Sequence, residues 1–102
     1  MAKFELPVYN AETDEIIKVH KRNFMPVGLY IKYQAFSEKL INDKVKNDAE
    51  MFKLLQPLFL ETFPTLTAAE YNNNTDVAEV LVMFRNILDT ATQITAGSSK
   101  NA

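Results

Sequence analysis

The stretch from Thr75 to Thr92 limits the folding options of this chain more than any other. It reads DVAEVLVMFRNILDTAT after the threonine. Val77, Val80, Leu81, Phe84, Leu88 and Ala91 recur at steps of three and four, which predicts one apolar face of a helix. Glu79, Arg85, Asn86, Asp89 and Thr90 fall mostly on the other side. Asp76 and Glu79 have the spacing of a capping box, in which two side chains accept from orphan N–H groups of the first turn. Gly97 is the expected stop. A stripe this long must be buried against other elements. The residues that make it carry no reactive chemistry.

The rest of the chain supplies those elements. Phe4, Leu6 and Val8 alternate with Lys3, Glu5 and Pro7. Ile17 and Val19 alternate with Lys18 and His20. The polar run Asn10-Ala11-Glu12-Thr13-Asp14 lies between, which predicts a β-hairpin over residues 3–21. Pro7 cannot donate to a ladder, so the first strand is expected at an edge. Pro26 suits a helix start. Beyond it Leu29, Tyr33, Phe36 and Leu40 form a stripe, widened by Val27, Tyr30 and Ile31, for a helix over about 26–42. Gly28 costs that helix about 1 kcal/mol relative to alanine, so fraying or a tight contact is expected near it. Asn47 with Glu50 caps the next helix, over about 47–63, with Met51, Leu54, Leu55, Leu58 and Phe59 in its stripe. Pro57 should kink or restart that helix, and Pro64 ends it. Thr67 with Glu70 predicts a single helical turn. The helix that began this reading spans about 76–94. The fold class is therefore α+β and mainly helical: an N-terminal hairpin, three main helices and a short helical turn. It forms one domain over residues 1–95, with residues 96–102 expected as a disordered tail.

Composition narrows the function classes. A net charge of −2 in 102 residues sets the chain apart from nucleic-acid binders, which usually show a basic face or an elevated pI, so no nucleic-acid partner is expected. The chain has no cysteine, which removes thiolate metal sites and thiol nucleophiles. With one histidine, a zinc site would need several carboxylates. The longest apolar run, Val80 to Phe84, is far below the roughly 18 residues of a membrane span. The start MAKFELPVYN lacks the apolar core of a signal peptide. A cytoplasmic protein is expected.

No catalytic constellation emerges. Alternation places His20 beside Lys18 on the polar, solvent-facing side of its strand, with no nucleophile or orienting partner implied. Asp48, Glu50, Asp76 and Glu79 are explained by helix capping. Two glycines, Gly28 and Gly97, cannot build a phosphate-binding loop. The chain is read as a non-enzyme, with no catalytic residue, cofactor or metal ligand. What remains is apolar surplus. Phe52 and Phe63 extend the stripe of their helix sideways, beside Phe59. If the three do not all turn inward, they leave a partner-binding patch. Full burial of the rings would remove that reading.

The whole chain also resembles a tail assembly chaperone of long, non-contractile-tailed phages of Gram-positive hosts. The segments that carry the resemblance are KFELPVYN…DEIIKVHKR, FMPVGLYIKYQAFSEKL, DAEMFKLLQPLFLETFPTLTAAEY and DVAEVLVMFRNILDTATQI, in that order. The resemblance implies a chaperone that binds the tape measure protein, a long, apolar and largely helical client. The client is kept soluble in the host cytoplasm while tail tube subunits polymerise around it, and the chaperone is absent from the mature virion. It also implies a short form whose longer partner product, made by ribosomal frameshifting, recruits tail tube protein. Self-association along the client, through the hairpin edge, is a further expectation. The alternatives are a structural head–tail or tail component that stays in the particle, and a small helical adaptor.

Overall fold

The computed structural model describes the backbone of residues 2–101 and the side chains of residues 2–90. A two-stranded antiparallel hairpin, β1 (Phe4–Tyr9) and β2 (Ile16–Arg22), leads into four helices among the described residues. They are α1 (Val27–Ile41), α2 (Asp48–Thr62), α3 (Ala68–Asn74) and α4 (Val77–Asn101). The fold is α+β and mainly helical, as expected. α3 stands where a single helical turn was expected, but it runs on through Asn74, about two turns at roughly 3.6 residues each. α4 runs further than the expected 76–94: its backbone stays helical as far as Asn101. The tail expected over residues 96–102 falls on this stretch, where the side chains, and all of Ala102, lie outside the described residues.

Local chemistry sets the boundaries. In the hairpin turn the Asn10 side-chain oxygen accepts from the amides of Glu12 (2.8 Å) and Thr13 (3.2 Å), and Asp14 takes a left-handed φ of 64°, which short polar side chains tolerate. Pro26 stands one place before α1 instead of at its first turn. Asp43, with φ 56°, ends that helix, and the Lys44 amide closes back on the Lys39 carbonyl at 2.9 Å. Thr67 and Glu70 form a complete capping box at α3. At α4 only half of the expected box forms. Asp76 accepts from the Glu79 amide at 3.1 Å, but the Glu79 carboxylate accepts from the Tyr9 hydroxyl. Pro57 does not restart α2, which is helical from Asp48 to Thr62. Pro57 and Lys53, whose carbonyl loses its donor, are both exposed, so water can satisfy that carbonyl. Gly28 makes no tight contact either, because a Cβ there would meet nothing within 4 Å.

The core forms where β1, α1, α2, α3 and α4 meet. Phe4 and Leu6 from β1, Leu29, Tyr33 and Phe36 from α1, Leu55 and Phe59 from α2, and Val80, Met83, Phe84 and Ile87 from α4 are all buried in one cluster. Phe59 lies centrally in its aromatic network, with ring centroids 6.3 Å from Tyr33, 5.7 Å from Tyr71 and 6.4 Å from Phe63. α4 therefore buries a stripe rotated from the expected one. Met83 and Ile87 turn in, while Val77 is 61% and Leu81 37% exposed. Phe4, Leu6 and Val8 turn inward as the alternation predicted. β2 does not follow: Lys18, His20 and Arg22 stand opposite Val8, Leu6 and Phe4. Directly opposed residues share a face. The polar side of β2 is thus its inner side, and Ile16 and Ile17 stand outside.

Candidate functional site

The three phenylalanines named as a partner patch separate. Phe59 and Phe63 are 0% and 1% exposed, so they are core residues and do not form a surface. Packing at the α2–α3 corner turns Phe63 back beneath His20, with ring centroids 6.5 Å apart. Phe52 stays half-buried. It lines an apolar groove of about 230 Å³ with Tyr71, Val77 and Val80, to which Asn72 and Thr75 add polar lining. The Tyr71 hydroxyl donates to the Phe52 carbonyl at 2.7 Å, which ties α3 to α2 and fixes the groove floor. Burial pushes the Tyr71 hydroxyl pKa up to about 12, so it remains a donor at any physiological pH. Val77 stands at the rim because α4 is rotated toward Met83 and Ile87. The groove has room for a large apolar side chain presented from outside.

His20 occupies a different place from the one its sequence neighbours suggest. Opposite buried Leu6 in the ladder, it is 3% exposed. Its Nδ1 lies 2.7 Å from the Thr65 hydroxyl and its Nε2 3.1 Å from a Glu70 oxygen. The other Glu70 oxygen meets Lys18 Nζ at 2.7 Å. Hydroxyl, imidazole and carboxylate in series is the order of a nucleophilic relay. Here the carboxylate is also the capping group of α3, accepting from the Thr67 amide at 3.2 Å, and the imidazole is enclosed. The arrangement joins strand, loop and helix. Lys18 holds the Glu70 carboxyl below the ordinary carboxylate value, against the burial that pushes it up, and the Thr67 amide adds to the lowering.

A third feature is polar. Tyr9, Asn10, Asp14, Asn74, Asp76 and Glu79 line an open cleft of about 480 Å³ between the hairpin turn and the α3–α4 junction. Asn74 Nδ2 donates to the Tyr9 carbonyl at 2.8 Å. The Glu79 carboxylate, accepting from the Tyr9 hydroxyl, pushes that hydroxyl's pKa up. Among the described residues no group of three or more His, Asp or Glu side chains is placed to hold a metal ion. No described helix is long and apolar enough to cross a membrane.

Several large apolar side chains lie outside the core. Val27 and Ile31, one turn apart on α1, are 76% and 60% exposed, and Val82 on α4 is 53% exposed. Sequence reasoning placed Val27, Ile31, Val77 and Leu81 in buried stripes. An apolar arc wider than its partner elements can cover was the available signal. Set against protein-family models, curated protein sequences and solved structures, the chain has no significant match in any of the three.

Proposed function

We propose that this chain is a non-enzymatic tail assembly chaperone of a long, non-contractile-tailed phage. It binds the tape measure protein through apolar side chains on its helical surface. The client stays soluble in the host cytoplasm until the tail tube has assembled, and the chaperone leaves before the virion is complete. A longer frameshifted product recruits tail tube protein. The observation that most supports this reading is the apolar surplus: with a core already filled by aromatic and aliphatic side chains, Val27, Ile31, Val77 and Val82 are still more than half exposed. An apolar helical client is recognised by laying one face into an apolar groove, and the cleft beside Phe52, Val77 and Val80 suits an anchoring side chain.

The test is co-expression. The tape measure protein is produced alone, with this chain, and with a Val77→Asp variant of it, and the soluble client fraction is measured. The expected result is a soluble complex with the natural chain and a several-fold smaller soluble fraction with the variant. A client equally soluble in all three cases overturns the proposal. So does recovery of this chain in stoichiometric amount from purified virions, which would assign it to the particle itself.

A further inference from the structure

We propose that the free edge of β2 is a docking site for an extended segment of another protein, apolar in part and acidic, which adds to the hairpin as a third strand. The two edges of this hairpin differ. Along β1, Pro7 removes a donor, Asn74 occupies the Tyr9 carbonyl at 2.8 Å, and α4 lies beside Glu5 and Pro7 through Val82 and Met83. Along β2, the described hydrogen bonds to the backbone of Ile16–Arg22 all come from within the hairpin. An edge strand of seven residues without proline presents unpaired N–H and C=O groups that an incoming strand can satisfy. A two-stranded sheet is marginal by itself, so a third strand adds to its stability.

Charge and exposure identify the occupant. β2 reads IIKVHKR and contains no acid. Ile16 and Ile17 are 54% and 57% exposed, and Val19 and Lys21 lie on the outer face. An incoming strand therefore meets apolar side chains near the turn and, farther along, Lys21, which has Glu5 of β1 as its cross-strand neighbour on the other side but makes no described ion pair with it. A second copy of β2 paired antiparallel about Val19 would bring Lys18, Lys21 and Arg22 of both chains into one sheet. A segment with an acidic residue opposite Lys21 and apolar residues opposite Ile17 and Val19 neutralises that charge instead. This inference stands on the strand edge alone and is independent of the groove beside Phe52.

The probes are two fluorescently labelled eight-residue peptides that differ at one position, titrated into the full chain: in both, two valines two residues apart face Ile17 and Val19, and the next residue on that same face, opposite Lys21, is glutamate in the glutamate peptide and lysine in the lysine peptide. The glutamate peptide is expected to bind, about tenfold more weakly as salt is raised to screen Lys21, and to slow hydrogen exchange at the β2 amides that face away from β1. Lys21→Glu, at an exposed position, is expected to reverse the peptide preference. Lys21→Ala should weaken glutamate-peptide binding without reversing it. Equal binding of both peptides, no binding of either, or an unchanged preference in Lys21→Glu overturns the proposal. Concentration-dependent protection of β2 in the free protein also overturns it, because a second copy would then hold the edge.

Discussion

Glu70 serves two elements at once. Its carboxylate completes the cap of α3 and holds both Lys18 and His20 of β2. Because its folded pKa lies below the ordinary value of 4.5, its contribution to stability is fully present above that value. It is lost as pH falls through the lowered one. Urea midpoints measured from pH 7 downward should therefore drop below about pH 4.5. Glu70→Gln should lose that part of the drop while being less stable at neutral pH. His20→Ala should cost about 1–3 kcal/mol, since it empties a buried site and takes a partner from the partly buried Glu70 carboxylate, while the Thr65 hydroxyl, on an exposed residue, can turn to water. In a double-mutant cycle with Glu70→Gln the two losses should fall short of adding. The sequence alone concealed this residue. Period-two alternation assigns a face relative to strand neighbours, and Ile17 and Val19 claimed the inner face. The ladder reverses that assignment: His20 stands opposite Leu6, and the irregularity between Val8 and Tyr9 lets Ile16 and Ile17 both remain outside.

At the scale of elements, spacing located the strands and helices well because each is bounded by local chemistry. Asn47 and Thr67 supply side-chain caps, Asp43 turns left-handed after α1, and the Asn10 turn closes the hairpin. Which arc of each helix is buried was less legible. Periodicity gives the existence of a stripe, but the neighbours decide which part of a wide stripe is covered. α4 thus buries Met83 and Ile87 and exposes Val77, while α1 buries Tyr33 and exposes Val27 and Ile31. The exceptions within helices have measurable consequences. Gly28 lies in a helix with open space where its Cβ would be, so Gly28→Ala should raise stability by up to about 1 kcal/mol. Pro57 sits on the exposed face of an unbroken helix. Pro57→Ala restores one backbone bond and should stabilise by about 1–3 kcal/mol, less what the unfolded chain gains in freedom. Chemical denaturation of the two variants checks both signs. A loss in Gly28→Ala would mean that something packs against that face in solution.

On the scale of the whole molecule, a filled core and an apolar surface coexist, and substitutions should divide accordingly. Of the three phenylalanines the sequence grouped together, Phe59 and Phe63 belong to the core and Phe52 to the surface groove. The sequence could not separate them, because only the turn of the chain after Thr62 brings Phe63 against His20 and Phe59. Phe59 touches the rings of Tyr33, Phe63 and Tyr71, so Phe59→Ala should cost about 3–5 kcal/mol, a large share of the roughly 5–15 kcal/mol that holds a small domain folded. Val77→Asp, at a site 61% exposed, should change stability by no more than about 0.5 kcal/mol. It should nevertheless reduce binding of an apolar dye to the native protein. Urea unfolding and dye fluorescence, run on the same two variants, read the two properties separately. If Val77→Asp unfolds the protein as Phe59→Ala does, the rim of the groove is part of the core and the surface is not free to receive a client. If stability holds and dye binding falls, the apolar surface is separable from the fold, which a chaperone for an apolar helical protein requires.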